Sequence, residues 1–159
     1  MAAFTPRMRE HLGRLEIFDI IRKKFVAYTP EESVRQQLLH YLTVVKRFPE
    51  GLLQVETAIP HPRYFFRADV VAYDRQLQPI LLAECKAPEV TISRETCEQV
   101  ARYNLLVKVP FLLITNGSKH FFFYYSTGEN CYIFDRNMAD YEGLVKMAKK
   151  MKIEKNTYL

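Results

Sequence analysis

Arg67-Ala-Asp-Val-Val-Ala-Tyr-Asp74, a polar break, and then Pro79-Ile-Leu-Leu-Ala-Glu-Cys-Lys-Ala-Pro88 form the stretch from which the chain is best read. Two apolar runs are each interrupted by charge: Asp69 in the first, Glu84 and Lys86 in the second. Val70, Val71, Tyr73, Ile80, Leu81 and Leu82 have the character of buried strand residues, with Asp74-Arg-Gln-Leu-Gln-Pro79 as their connection. Ionised side chains are rare in buried strands unless they are paired or hold a cation. Pairing Asp74 with Pro79 across a four-residue loop sets Asp69 opposite Glu84. Lys86 follows two residues later and so shares the face of Glu84. Like charges placed opposite each other destabilise a sheet, and a divalent cation between them reverses that sign. The loop has no Asn-Gly or Asp-Gly pair, so the turn itself does not pin the register.

The surrounding chain is that of a folded protein. Its 159 residues are 48% hydrophobic with few glycines, which suits one domain over 1–159, with a core from about 18 to 135 and a last helix over about 138–152. No apolar run approaches the ~18 residues of a membrane span, and Met1 to Gly13 lacks the apolar stretch of a signal peptide. Three cysteines, Cys85, Cys97 and Cys131, are odd in number and lack metal-finger spacing, which fits buried thiols in a reducing cytoplasm. A formal charge of +5 suits an anionic partner such as nucleic acid. No phosphate-loop sequence is present, which argues against a nucleotide cofactor.

Upstream, Thr29-Pro-Glu-Glu32 reads as the start of a helix running to about Arg47, with Thr29 at the N-cap and Pro30 in the first position. At 100° per residue from Val34, the apolar positions Tyr41, Val45, Leu38, Leu42 and Leu39 span about −20° to +140°. Glu31 falls near +60°, inside that arc, and Glu32 near +160°, at its edge. Glu32 is therefore read as the capping residue and Glu31 as the carboxylate aimed inward. The element type of Arg14 to Tyr28 is left open. Leu52 to Ile59 reads as a strand ended by Pro60-His-Pro62. A helix capped by Ser93 runs to about Val107, and on it Gln99 and Tyr103 share a face. Strands follow at Pro110–Thr115, Phe121–Tyr125 and Cys131–Phe134. This order predicts an α/β fold in which a mixed sheet is flanked by helices.

An Asp followed on the next strand by Glu-x-Lys has the chemistry of phosphodiester cleavage. Asp69 and Glu84 would offer hard oxygen ligands to Mg2+, with the backbone carbonyl of Cys85 beside them. Lys86 would orient the attacking water and offset charge developing on the phosphate. Glu31 would join directly or through water. The alternative is a structural ion pair of Lys86 with Glu84 or Asp69 and no chemistry. Arg63, Arg67 and Arg94 flank the proposed site, where phosphate contact and simple solvation are both open.

Arg67–Asp74 with Leu81–Pro88 resembles the PD-(D/E)XK nuclease signature. Thr29–Leu42, Glu84–Pro88, Glu98–Asn104 and Leu112–Gly117 are, in that order, similar to the N-terminal nuclease domain of type I restriction enzyme R subunits. The resemblance implies a restriction-endonuclease-like fold and Mg2+-dependent DNA cleavage, with Mn2+ as a substitute ion. It assigns Asp69, Glu84 and Lys86 to the catalytic core, Gln99 and Tyr103 to a Q-x-x-x-Y motif that supports the site and contacts DNA, and Glu31 or Glu32 to the helical Glu. DNA is the implied partner, together with other restriction-system subunits or a second copy of the chain. Ala68 stands where the signature has Pro, a position that binds nothing. The helicase motor of R subunits is not in this sequence, so ATP-driven translocation is not carried over. A nuclease-fold domain that binds DNA or a partner without cutting is the competing expectation.

Overall fold

The computed structural model describes residues 4–59, 63 and 66–151, without the side chains of residues 59, 66, 103 and 106. The expected strand end at Pro60–Pro62 and the final residue of the C-terminal helix lie outside the described residues.

Strands account for the segment whose element type was open. β1 (Met8–His11), β2 (Arg14–Asp19) and β3 (Lys24–Ala27) form a small antiparallel sheet. On one face Arg7 and Arg9 lie over the ring of Phe25 at 5.2 and 4.0 Å. Ile17 and Asp19 are buried. Next comes α1 (Pro30–His40), which continues into a wider π-helical turn at Tyr41–Val45. Thr29 caps α1 as expected, its hydroxyl accepting from the N–H of Glu32 at 2.9 Å. Loss of such a cap typically costs about 1 kcal/mol.

β4 (Leu53–Ile59), β5 (Phe66–Tyr73), β6 (Pro79–Cys85), β7 (Phe111–Thr115), β8 (His120–Ser126) and β9 (Cys131–Asp135) make one mixed sheet in chain order. Only the β6–β7 pair among them is parallel, and α2 (Arg94–Val107) provides the crossover that a parallel pair requires. α3 (Tyr141–Lys150) starts a few residues later than the sequence pattern suggests, because the carboxylate of Asp140 accepts from the N–H of Gly143 and sets the helix start.

Period-two alternation divides the sheet residues between two apolar layers. Val70, Ala72, Leu81, Ala83, Phe111 and Leu113 pack with Val34, Leu38 and Leu42 of the first helical segment and with Tyr141 and Leu144 of α3. Val71, Leu82, Leu112 and Ile114 pack with Cys97, Val100 and Ala101 of α2. Each fully buried Leu in these layers contributes roughly 1.5–3 kcal/mol relative to exposure.

The β5–β6 hairpin departs from the expected turn. The N–H of Asp74 donates to Gln78 rather than lying opposite Pro79, leaving a three-residue loop, Arg75 to Leu77. Leu77 takes a left-handed conformation (φ 57), and Asp74 Oδ1 accepts from the N–H groups of Gln76 and Gln78. Three-residue hairpins commonly combine a turn with one left-handed residue. A register shift between Ala72 and Tyr73 then absorbs the missing residue, so Ala72 faces Leu81 and Val70 faces Ala83. The two departures cancel, and the approach of Asp69 to Glu84 inferred from the longer loop survives.

Candidate active site

Regular β5–β6 pairing stops at Val70 and Ala83, one step short of Asp69 and Glu84. Alternation also breaks here: Val70 packs in the α1 layer while Ala68 packs in the α2 layer. Asp69 stands at that discontinuity. Its Oδ2 accepts from the N–H of Cys85 at 2.7 Å, and its Oδ1 accepts from Arg35 Nη2 at 3.1 Å. One residue of β5 thereby ties β6 to α1.

Lys86 follows directly on β6, where its N–H donates to the carbonyl of Thr115 at 2.8 Å. Its ammonium donates to Glu84 Oε1 at 2.9 Å. Burial raises the pKa of Glu84, and the charges of Asp69 and Glu31 raise it further against the opposing pull of Lys86. Lys86 loses some basicity to burial, but its bond to Glu84 and the fields of Glu84, Asp69 and Glu31 raise its pKa overall. The buried Cys85 thiol is pushed well up by desolvation and then by Asp69, so it is no nucleophile. The charges of Asp69 and Glu31 therefore act on both Glu84 and Lys86.

The order of the two helical glutamates is reversed. Glu31 is half-exposed, with 47% of its side chain accessible and a single ion pair to Arg35 at 4.0 Å. Glu32 is the buried one, with only 9% accessible. Its Oε2 accepts from Arg35 Nη1 at 2.5 Å and its Oε1 from Gln36 Nε2 at 2.9 Å, so its carboxylate serves the interior rather than the cap. The reason is the set of partners: two guanidinium groups and the Gln36 amide meet Glu32, whereas Glu31 has the long contact to Arg35. Arg22 and Arg35 cover the Glu32 side of the first turn, Arg22 Nη2 lying 3.7 Å from Glu32 Oε2.

Arg35 was not singled out by the sequence reading, yet it joins the network. Its side chain is 5% exposed and lies within 3.5 Å of Glu32, Glu56 and Asp69. Burial lowers its pKa, but Glu32 and Asp69 more than reverse this and hold it above the ordinary arginine value. Its Nε is buried without a hydrogen-bond partner among the described residues. A signal was available: at 100° from Val34, Arg35 falls between Leu42 and Leu39 on the helix face, about where only apolar residues belong. Glu56 was missed as well. It lies on β4 opposite Asp69 of β5, between Val55 and Thr57, which pair with Val70 and Ala68, and has a left-handed φ of 50. Nothing in a Val-Glu-Thr sequence announces that conformation. Glu56 takes Arg22 at 2.7 Å and Arg67 at 3.0 Å, and Asp19 completes the network with Arg22 at 2.5 Å.

Among the described residues, six carboxylates (Asp19, Glu31, Glu32, Glu56, Asp69 and Glu84) are thus joined by the ion pairs given above to four cations (Arg22, Arg35, Arg67 and Lys86), giving two more negative than positive charges. Among the described residues no three His, Cys, Asp or Glu side chains lie close enough together to hold an ion by themselves. Asp69, which accepts from the Cys85 N–H, and Glu84 are a smaller donor set. That set fits Mg2+, which typically keeps several waters and takes one or two carboxylates. Asp69 has one bond on each oxygen, and Glu84 is engaged through Oε1, so acceptor capacity remains on both.

Of the other nominated residues, Gln99 is exposed on α2 and forms no bond to these charges among the described residues. Tyr103 follows one turn later on α2, its side chain outside the described set. Arg94 pairs with Glu98 at 2.7 Å, away from Asp69.

A fragment structure described as an HsdR subunit of a type I restriction enzyme from Vibrio vulnificus YJ016 is 24% identical to this chain, with a TM-score of 0.40. The alignment covers 59% of this chain and 18% of that one, so the domain spans a small part of that longer protein. No curated protein sequence matches. The family described as type I restriction enzyme R protein N terminus matches over residues 30–136, a span that holds α1, the β5–β6 hairpin, α2 and every carboxylate of the network except Asp19. With most of its length and its charged centre inside that match, the chain belongs to the family of type I restriction enzyme R protein N termini.

Proposed function

We propose that this domain is a metal-dependent endodeoxyribonuclease that hydrolyses DNA phosphodiester bonds. The observation that carries the reading is the meeting of Asp69, Glu84 and Lys86 inside a network with two uncompensated negative charges. Family membership supports a restriction-related nuclease domain. Asp69, Glu84 and the Cys85 carbonyl would hold the ion, with Glu31 reaching it directly or through water. A bound Mg2+, or Mn2+ in its place, supplies a Lewis acid for a phosphate oxygen and lowers the pKa of a bound water.

The chain's own groups do the rest. The Cys85 N–H and Arg35 fix the Asp69 carboxylate from two directions, so it needs no reorganisation on binding. Lys86, kept charged by Glu84 and Asp69, orients the attacking water and offsets charge on the phosphate as the bond breaks. Gln99 and Tyr103 of α2 would meet the DNA backbone. DNA, the other subunits of a restriction system or a second copy of the chain are the proposed partners, in the cytoplasm.

Plasmid and branched DNA incubated with Mg2+ or Mn2+ test this. Asp69→Ala and Lys86→Ala should each abolish cleavage while circular dichroism remains that of the wild type. Equal cutting by all three proteins would refute the assignment. A second reading, DNA or partner binding without cleavage, is favoured by one observation: Asp69 and Glu84 already carry internal cationic partners. Metal binding without any cutting by the wild type would select it.

A further inference from the structure

We infer that the guanidinium of Arg35 occupies the position a second metal ion would take, so that this site binds one divalent cation. The inference rests on the metal-dependent reading above and goes on to the number of ions. A two-ion phosphodiesterase needs a bridging carboxylate with further carboxylates on the far side of it. Asp69 is the bridging candidate, and Glu31, Glu32 and Glu56 are gathered with it around Arg35. Arg35 stands among them. One of its terminal nitrogens meets Asp69 and Glu31, and the other meets Glu32 and Glu56, at distances from 2.5 to 4.0 Å.

Three observations make this cation built in rather than incidental. Arg35 is almost wholly buried, and withdrawing it would leave Glu32 buried without its closest partner. Its Nε faces the interior without a hydrogen-bond partner among the described residues, a cost accepted where the two terminal nitrogens are placed. Glu56 reaches it from a left-handed backbone in mid-strand, a conformation that is strained for a residue with a side chain. Charge counting agrees. Counted over the described residues named above, with Arg35 in place the network is short of two positive charges, which one divalent ion supplies. Without it the shortage is three, and a single ion no longer suffices.

Mn2+ titration, followed by calorimetry and by the electron-spin signal of free Mn2+, tests the inference on wild type, Arg35→Lys and Arg35→Met. The expected stoichiometry is one ion for the wild type and for Arg35→Lys, and two for Arg35→Met. Two ions in the wild type, or one in folded Arg35→Met, would overturn it. No ion in the wild type would instead remove the metal-dependent reading and this inference with it, a result distinguishable from the other two. Should Arg35→Met not fold, a wild-type crystal soaked in Mn2+ decides. One anomalous peak at Asp69 and Glu84, with Arg35 still on Asp69 Oδ1, supports the inference; a second peak among Glu31, Glu32 and Glu56 refutes it.

Discussion

Glu31 and Glu32 are neighbours in sequence, and their replacement should have opposite consequences. Truncating Glu32 to Ala removes the charge-assisted bond to Arg35 Nη1 at 2.5 Å, the closest of that arginine's contacts. Such a bond contributes about 1.5–3 kcal/mol. The same change strips the partner from Nε2 of Gln36, which is fully buried and whose Oε1 is already committed to the N–H of Ile20. Leaving that donor unsatisfied costs about 1–3 kcal/mol. Together these give about 2.5–6 kcal/mol, and the middle of that span, about 3–5 kcal/mol, is the range found when one partner of a buried ion pair is deleted. At about 2–4 °C per kcal/mol for a domain of this length, the melting temperature should fall by roughly 6–20 °C. Glu31→Ala removes a half-exposed carboxylate whose one ion pair is 4.0 Å long, so it should move stability by no more than about 0.5 kcal/mol. Its effect should appear in Mn2+ affinity instead. Urea unfolding followed by circular dichroism, in chelator, measures both variants on one scale. If Glu31→Ala proves as destabilising as Glu32→Ala, the assignment of Glu32 to the interior and Glu31 to the ion is wrong.

Glu84→Gln should stabilise the metal-free protein at neutral pH. The native pKa of Glu84 is raised, by burial first, above its ordinary 4.5, so its contribution to stability is full below pH 4.5 and is lost as pH rises through the native value. The variant mimics the protonated form. Its advantage in melting temperature should therefore be near zero at pH 4, grow with pH and then level off, and a variant less stable than wild type at pH 7 would contradict this. Gly117→Ala should destabilise by about 1–2 kcal/mol in the same urea assay, since Gly117 has a left-handed φ of 89 that a residue with a Cβ adopts only under strain, and the contacts at 3.4 Å to Gln37 and Val34 of α1 leave no room to relieve it. An unchanged unfolding midpoint would show that the turn after β7 relaxes freely.

Much of the architecture is legible without coordinates, because it rests on local rules. Thr29, Ser93 and the Pro30 that follows the first cap satisfy helix starts by themselves, and both helices begin where those residues stand. Alternating and continuous apolar runs give β4 to β9 within a residue or two. The pairing of Lys86 with Glu84 follows from the two-residue period of a strand. Approach of Asp69 to Glu84 was legible too, although through a turn that is one residue shorter than expected and a bulge that restores the offset.

What the chain order alone could not decide lies where elements from distant positions meet. Solvent access to Glu31 and Glu32 depends on Arg35 and on Arg22, which comes from the loop after β2 and so lies outside any helical wheel of α1. The carboxylate of Glu56, on its left-handed backbone, is held by three arginines from separate elements. Local sequence thus determines where helices and strands begin and which charges share a strand face, because caps and periodicity act over a few residues. The balance of charge around Asp69 is set by the tertiary structure, because Coulomb energies depend on distances and burial that only the packed α1, β4, β5 and β6 define.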